Sequence, residues 1–285
     1  MEFFFPANIT EAISLLAERD GARCLAGGAT LVAMMNAGLV EPFRLVSLRG
    51  LSELGGINVL SDSTVRLGAM TRHAETANST LLKDGQRVLS AAAGKIANPP
   101  VRNMGTIGGS LAFADPAADY LPALMTLDAV IELAAQGSTR RLSIRDLIVD
   151  WYTTALEPGE IITAIEVPPA PRGSVGIFEK LERTAGDYAI VSIACVLAFE
   201  KGICSTARIA VGACGPGPVR IRELEAKLEG TRAEPDAFLA IGESLAAECD
   251  PVDDVRATAD YRRLVIPRLV AKAATHARAA LGAQS

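Results

Sequence analysis

The spacing of apolar residues in the first fifty positions predicts a small parallel β-α-β-α-β unit. Residues 12–16 place their apolar side chains on one face of a helix that Asn8 or Thr10 can cap. The elements predicted after it are a strand at 23–26, a helix at 31–37 and a strand at 44–48. Because helical crossovers join parallel strands, this segment is predicted to form a first subdomain up to about residue 52.

From residue 53 the pattern changes to short strands separated by polar turns, which predicts a second subdomain ending near residue 170. The predicted strands are 56–60, 64–69, 129–134, 139–143 and 161–167, and the predicted helices are 73–77, 88–96 and 144–150. A proline-dense run at 168–173 lies between two apolar-patterned regions and predicts a domain boundary.

The remaining chain, 171–285, is predicted to be a domain of antiparallel strands and helices. Strands are predicted at 175–183, 189–199 and 204–214, the last two forming a hairpin around Glu200-Lys201-Gly202, and helices at 221–228, 235–247 and 260–281. The fold class predicted for the whole chain is therefore α+β, a mixed α/β protein.

Two glycine-containing stretches indicate a binding site. The segment VRNMGTIGGSLAFADPAAD at 101–119 has three glycines and two hydroxyl residues within 105–110, a composition that favours a sharp turn with uncovered N–H groups. The segment LAGGATL at 25–31 reads as a strand, a tight turn and a helix start that Thr30 could cap. Together they predict a diphosphate held between them, with Asp115 or Asp119 available to ribose hydroxyls.

Alternative interpretations exist for each residue taken alone. A single Gly-Gly pair also fits an ordinary turn, and neither segment matches the dinucleotide-binding or P-loop patterns. Arg102 could favour a phosphate or form a surface salt bridge. His73 could approach a ligand or be a helix-end or surface histidine, and Tyr188 could cover a planar ligand or serve packing.

Composition narrows the function. Lys and Arg number 28 and Asp and Glu 33, giving a net charge of −5 without a basic block, which argues against nucleic acid as a partner. The five cysteines are scattered, no C-x-x-C pair occurs and only two histidines are present, so free thiols and no metal site are expected. No apolar run is long enough to span a bilayer and no signal peptide is recognisable, which predicts a cytoplasmic protein.

Five motifs together resemble one family. They are LAGGATL (25–31), RNMGTIGGSLAFADPAAD (102–119), GEIITAIEVP (159–168), EKLERTAGDYAIV (179–191) and YRRLVIPRLV (261–270). Over nearly its whole length the chain resembles the FAD-binding medium subunits of molybdenum hydroxylases, such as the flavoprotein subunit of aerobic carbon monoxide dehydrogenase and the flavin domain of xanthine dehydrogenase. The resemblance implies a vanillyl-alcohol-oxidase-type FAD-binding domain of two subdomains (1–170), followed by the family's C-terminal domain.

The resemblance also implies site residues by position. Asp119 would bind a hydroxyl of the FAD chain, Ile96 and Ile162 resemble apolar contacts near the flavin, and Lys180 and Tyr188 resemble residues on its isoalloxazine side. Contacts to the pyrophosphate are implied for Ala26, Gly27, Gly28, Ala29, Thr30, Leu31, Thr106, Ile107, Gly108, Gly109 and Ser110. The chain departs from the family pattern at Ala29, often polar, and at Phe113, often histidine.

The implied function is that of an FAD-bearing electron-transfer subunit. A large subunit would hold the molybdenum cofactor, a small subunit would carry [2Fe-2S] clusters, and a dimer of such heterotrimers would pass electrons from this chain to an external acceptor. No side chain of this chain is expected to be catalytic. Two alternatives stay open: a self-sufficient FAD-dependent oxidoreductase using His73 or Tyr188 for proton transfer, and a non-catalytic assembly subunit, against which the retained Gly-Gly pairs argue.

Overall fold

The computed structural model describes residues 1–18 and 21–282; the end of the predicted C-terminal domain, residues 283–285, lies outside the described residues. The N-terminal unit is a parallel sheet of β1 (Glu2–Phe4), β2 (Ala22–Leu25) and β3 (Arg44–Ser47), in the order β1-β3-β2. Helices α1 (Ile9–Ala17) and α2 (Leu31–Asn36) connect these strands. The predicted β-α-β-α-β unit is confirmed, and Asn8 caps α1 by accepting from the Glu11 N–H.

A five-stranded antiparallel sheet forms the centre of the second region. Its order is β4-β5-β10-β6-β7. The strands of this sheet are β4 (Ile57–Val59), β5 (Val65–Gly68), β6 (Val130–Ala135), β7 (Ser138–Ser143) and β10 (Ile161–Val167). Between β7 and β10 in the chain, β8 (Ile148–Asp150) and β9 (Thr153–Thr154) form a separate two-stranded ribbon. The prediction of a helix over 144–150 was wrong in its second half, where β8 pairs with β9.

Short helices cover this sheet. They are α3 (His73–Ala77), α4 (Arg87–Lys95), α5 (Pro99–Met104), α6 (Ile107–Phe113), α7 (Tyr120–Thr126) and α8 (Ile144–Leu147), with 3₁₀ turns at Ser52–Leu54 and Asp84–Gln86. The stretch predicted as an open glycine loop is therefore two helices that meet at Gly105. Thr106 begins α6, because its side chain accepts a hydrogen bond from the Gly109 N–H.

The C-terminal region has the predicted antiparallel strands and helices. Strands β11 (Val175–Leu181), β12 (Val191–Glu200) and β13 (Ile203–Gly212) form one sheet, and α9 (Arg222–Ala226), α10 (Pro235–Glu248) and α11 (Ala259–Gly282) follow. Glu200 pairs with Ile203, so the predicted hairpin is confirmed. All five cysteines are free thiols, as expected.

One apolar core joins the central and C-terminal regions. Leu111 of α6 and Leu124 of α7 share it with Phe178 of β11 and Ala194 of β12. A second core lies between the C-terminal sheet and helices α10 and α11. Because α6 and α7 pack between the two sheets, residues 105–120 lie close to the start of the C-terminal region.

Candidate cofactor-binding site

The turn between β2 and α2 carries a run of backbone donors without protein partners. Among the described residues, none accepts a hydrogen bond from the N–H groups of residues 27–31. Gly28 has a φ of +79°, a conformation that glycine adopts at little cost. Thr30 makes no side-chain capping bond, so that prediction was wrong. Consecutive free N–H groups in a tight turn suit an anionic ligand. We call residues 25–31 the first glycine segment.

The second glycine segment, residues 105–110, has a different hydrogen-bonding state. The N–H groups of Ile107 and Gly108 donate to Thr71 O (3.0 Å) and Ala69 O (2.8 Å). Gly109 N–H donates to Thr106 Oγ1 (3.2 Å), and Ser110 N–H donates to Thr106 O (3.0 Å). The prediction of several uncovered N–H groups was therefore wrong for residues 107–110, because the strand-end segment 69–71 and the Thr106 cap already bind them. The Ser110 hydroxyl has no partner among the described residues.

The two segments come into contact because glycine has no side chain. A Cβ on Gly27 would lie 1.9 Å from Met104 O and 2.9 Å from Gly105 Cα. A Cβ on Gly109 would lie 3.5 Å from the Ala26 Cβ. The structure therefore brings the first glycine segment against the start of the second, as a shared ligand requires.

Asp119 and Lys180 form a buried ion pair beside this region. Lys180 Nζ lies 2.9 Å from Asp119 Oδ2 and 3.3 Å from Glu182 Oε2, and it donates to Lys95 O at 3.1 Å. Burial raises the pKa of Asp119 to about 6 against the opposing effect of Lys180. Asp119 Oδ1 is buried without a hydrogen-bond donor among the described residues. A buried orphan acceptor is rare, and a ligand hydroxyl would satisfy it.

Ile96 and the turn that carries Tyr188 lie near Lys180. The carbonyl that Lys180 binds precedes Ile96, a half-buried residue packed against the main core. A Cβ on Gly186 would lie 2.5 Å from Ala97 O, so the turn that carries Tyr188 lies against the end of α4. Tyr188 is 42% exposed. Its ring is available to a ligand.

Ile162 lies deeper than the other predicted contacts. Its side chain is buried in the main core at the irregularity in the pairing of β10 with β6. The next residue, Thr163, accepts the Ala69 N–H at 2.9 Å. Ala69 in turn supports Gly108, so Ile162 is connected to the second glycine segment through the backbone.

His73 begins α3 but is buried. Its Nδ1 lies 3.1 Å from the Tyr120 hydroxyl. Burial, with a smaller effect from Arg102, lowers its pKa to about 4, so the imidazole is neutral near pH 7. A Cβ on Gly105 would lie 2.4 Å from the Nε2 position, which shows that this side of the ring packs against backbone. His73 is therefore not a surface histidine.

Among the described residues, no carboxylate forms a salt bridge with Arg102. Its guanidinium donates to Ile96 O (2.8 Å) and Ala97 O (2.7 Å), and thereby fixes the turn that follows α4. Sequence reasoning missed Arg256, which stacks on Tyr188, and Tyr152, which contacts Phe113 at a ring-centroid distance of 5.6 Å. No local pattern marks these residues, because their partners are distant in sequence.

Comparison with known proteins identifies the family. Residues 1–170 match the FAD binding domain in molybdopterin dehydrogenase, and residues 176–277 match the CO dehydrogenase flavoprotein C-terminal domain. The chain belongs to this flavoprotein family. The match confirms the family resemblance inferred from the motifs. It also confirms FAD as the cofactor and an oxidoreductase component as the class of protein.

Individual members of the family match over nearly their full length. The chain is 36% identical over 277 residues to the 6-hydroxypseudooxynicotine dehydrogenase complex subunit alpha of Paenarthrobacter nicotinovorans, covering 95% of this chain and 93% of that protein. It is 36% identical to the carbon monoxide dehydrogenase medium chain of Afipia carboxidovorans, with coverages of 98% and 96%. The structure of carbon monoxide dehydrogenase from Hydrogenophaga pseudoflava matches with a TM-score of 0.93 at 32% identity, covering 98% of this chain and 97% of that chain. The predicted mixed α/β fold class is confirmed.

The residues present fit the cofactor of this flavoprotein family. FAD carries a diphosphate and several hydroxyl groups, and the site offers free N–H donors at residues 27–31 and a free acceptor at Asp119. Within residues 1–18 and 21–282, no group of three or more His, Cys, Asp or Glu side chains is placed to hold a metal ion. Over the same residues, no helix combines the length and apolar character needed to cross a bilayer.

Proposed function

We propose that this chain is the FAD-binding electron-transfer subunit of a heteromeric molybdenum-containing hydroxylase or dehydrogenase. It takes electrons from the iron–sulfur clusters of a partner subunit and passes them to an external acceptor. The observation that carries the proposal is the run of unpaired N–H groups at residues 27–31, placed against Met104 and Gly105 in a chain of this family.

Within this proposal the first glycine segment binds the FAD diphosphate. Ala26, Gly27, Gly28, Ala29, Thr30 and Leu31 are assigned to it. The second segment, Thr106, Ile107, Gly108, Gly109 and Ser110, contributes shape and the Ser110 hydroxyl, because the N–H groups of residues 107–110 are already bonded. Asp119 Oδ1 accepts a hydroxyl of the cofactor. Ile96 and Ile162 provide apolar support, and Lys180 and Tyr188 lie on the isoalloxazine side.

Bound FAD supplies the redox chemistry, because its isoalloxazine accepts and releases electrons. The protein binds and orients it. Lys180 is fixed by Asp119, Glu182 and Lys95 O, so its ammonium group has a defined position. The neutral, packed His73 does not supply a mobile proton. The site therefore contains groups for holding a cofactor and none that we assign as an acid or base.

The partners proposed are a large molybdenum-cofactor subunit and a small iron–sulfur subunit, assembled as a dimer of heterotrimers. The support is that relatives of similar length are named as medium chains or as a subunit of a dehydrogenase complex. The domain division proposed is 1–170 and 171–285. It is supported by family matches over 1–170 and 176–277 and by the segment between β10 and β11.

A visible absorption spectrum tests the cofactor assignment. The full chain is purified, incubated with FAD and separated from free FAD by gel filtration. We expect flavin bands near stoichiometric with protein, together with quenched or shifted flavin fluorescence. A folded chain, shown by its circular dichroism and melting curve, that retains no flavin would refute the proposed function.

Isolation from the native host tests the partners. The tagged chain is recovered under mild conditions, its companions are identified by mass spectrometry, and molybdenum and iron are measured in the same fraction. We expect two companions, one larger and one smaller than this chain, and both metals. Recovery of a flavin-loaded chain alone, at every salt concentration, would favour a self-sufficient flavoprotein and refute the complex.

A further inference from the structure

Tyr188 is partly exposed, and a cation lies over its ring. The Arg256 guanidinium carbon lies 5.0 Å from the centroid of the tyrosine ring. Arg256 Nε is buried without a hydrogen-bond acceptor among the described residues, and it lies 3.9 Å from an Asp187 carboxylate oxygen. The ring face is therefore a principal electrostatic partner of this part of the guanidinium.

A hydrogen-bond network in the C-terminal region holds Arg256 in place. Asp254 accepts hydrogen bonds from Arg256 N–H (2.8 Å) and from Arg256 Nη1 (3.1 Å). It also accepts one from Arg262 Nη2 (2.6 Å). Burial opposes ionisation of Asp254, but these donors and the Ala257 N–H outweigh it and lower the pKa to about 2. Asp254 is therefore ionised near pH 7.

Arg262 connects this network to the strand that follows Tyr188. Its Nη1 donates to Ile190 O (2.5 Å) and to Ala213 O (3.1 Å), and its side chain is buried. The Ile190 N–H donates to Leu181 O at 2.7 Å, next to Lys180 in β11. Tyr188 is thus fixed at its backbone through Ile190 and at its ring through Arg256.

Asp115 lies near the Tyr188 hydroxyl. Burial raises the pKa of Asp115, while the Ala117 N–H, Arg256 and the nearby Tyr188 hydroxyl act in the opposite direction. Burial followed by the Asp115 charge raises the pKa of Tyr188 to about 12, so the phenol stays protonated. The ring therefore has a cation over its face and a carboxylate near its hydroxyl.

We propose that Arg256 is a positioning residue that sets the orientation of Tyr188 at the flavin. The inference rests on the proposed function, in which Tyr188 lies on the isoalloxazine side. An exposed tyrosine on a turn can adopt several rotamers. The stacked guanidinium, fixed by Asp254 and Arg262, selects one of them. The C-terminal region thereby controls the surroundings of a cofactor bound mainly by the N-terminal 170 residues.

The test compares Arg256→Met, Arg256→Lys and a matched control in the full chain loaded with FAD. The control is Arg278→Met, because Arg278 stacks on Phe199 at the same 5.0 Å distance away from the proposed site. The readouts are flavin fluorescence per bound FAD, the FAD dissociation constant and the melting temperature. A tyrosine stacked near a flavin quenches its fluorescence, so fluorescence reports the ring position independently of turnover.

We expect Arg256→Met to increase flavin fluorescence and to weaken FAD binding about fivefold, as loss of one cation–π contact predicts. Arg256→Lys should recover part of both effects, and Arg278→Met should change neither. In a Tyr188→Leu background, Arg256→Met should have no further effect on either flavin readout.

The outcomes separate two failures. A wild-type chain that takes up no FAD overturns the proposed function and this inference with it. A wild-type chain that binds FAD while Arg256→Met leaves fluorescence and affinity unchanged overturns the positioning role alone. A lower melting temperature with unchanged flavin fluorescence also overturns it, because the residue is then only structural. The positioning role is also overturned if Arg256→Met has the same effects on fluorescence and affinity in the Tyr188→Leu background as in the wild-type chain. This comparison holds even if Arg256→Met alone folds poorly.

Discussion

The two glycine segments have similar compositions and opposite hydrogen-bonding states. In the first, no described residue accepts from the N–H groups of residues 27–31. In the second, the N–H groups of residues 107–110 all have protein acceptors. The glycines of the second segment instead permit contact, since a Cβ on Gly108 would lie 2.6 Å from the Ala69 Cβ.

This difference separates two uses of glycine at one binding site. The first segment supplies unpaired donors to a ligand, and Gly28 supplies the positive φ of its turn. The second segment is a packed helix start that supports the first segment through Met104 and Gly105. Substitutions in the two segments should therefore affect cofactor binding and fold stability in different proportions.

Gly27→Val is expected to have the largest effect. Its Cβ would lie 1.9 Å from Met104 O, and a backbone carbonyl cannot move away as a flexible side chain can. Overpacking of this kind costs about 3 kcal/mol, so we expect FAD affinity to fall by about a hundredfold. The measurement is FAD titration followed by fluorescence. Gly50→Val is the control, because a Cβ there meets nothing within 4 Å. Unchanged affinity in Gly27→Val would contradict the contact between the segments.

Gly108→Ala should affect stability more than binding. The new methyl group meets the Ala69 Cβ at 2.6 Å and Ala69 O at 2.8 Å, but no ligand donor is lost. We expect the free energy of unfolding to fall by about 1–3 kcal/mol and FAD affinity to change less than in Gly27→Val. Urea unfolding of the apo chain and FAD titration measure the two quantities. A variant of unchanged stability that no longer binds FAD would show that the second segment is a donor site after all.

Local sequence patterns predicted the parts of the fold that depend on near neighbours. The Asn8 cap, the parallel N-terminal unit and the hairpin at Glu200 each rest on residues a few positions apart. The second glycine segment was read as an open loop because its acceptors, Ala69 O and Thr71 O, come from a different part of the chain. Glycine content alone does not show whether an N–H group has a partner.

Long-range partners also explain the other errors. Ile148 and Val149 are β-branched and lie in β8, which pairs with β9 through Ile148 and Asp150, although the preceding residues are helical. The family resemblance led to Asp119 and Lys180, but their ion pair joins α7 to β11 and has no local pattern. Arg256 was missed for the same reason, since it reaches Tyr188 only through the fold of the C-terminal region.

Asp119 adds an acceptor to a site otherwise composed of donors, and its titration should be visible. Its folded-state pKa, about 6, is above the ordinary value of 3.8. The unfolded chain therefore releases this proton at lower pH, and the Asp119 contribution to apo-chain stability falls as pH rises from about 4 to about 6. FAD affinity should change oppositely, rising about fivefold through pH 6, because an ionised carboxylate accepts a hydroxyl more strongly.

Asp119→Asn tests both dependences. The variant should lose the rise in FAD affinity and the corresponding fall in apo-chain stability, measured by FAD titration and urea unfolding from pH 4.5 to 7.5 (about three units centred on the folded pKa). Glu182→Gln is the matched control, since Glu182 is the other carboxylate of Lys180 at 3.3 Å. An equal loss of pH dependence in Glu182→Gln would assign the titration to the ion-pair cluster and remove Asp119 as the acceptor.

A matched pair of threonine substitutions should give the smallest effects. Thr106 caps α6 by accepting the Gly109 N–H at 3.2 Å, whereas Thr30 makes no capping bond before α2. Thr106→Ala should therefore lower the free energy of unfolding by about 1 kcal/mol, and Thr30→Ala should leave it nearly unchanged. Both are measured by urea unfolding of the apo chain. FAD affinity should change little in either variant, because the N–H groups at 27–31 belong to the backbone. A stability loss in Thr30→Ala equal to that in Thr106→Ala would mean that the first segment is also a capped, satisfied helix start, and the distinction between the two segments would fail.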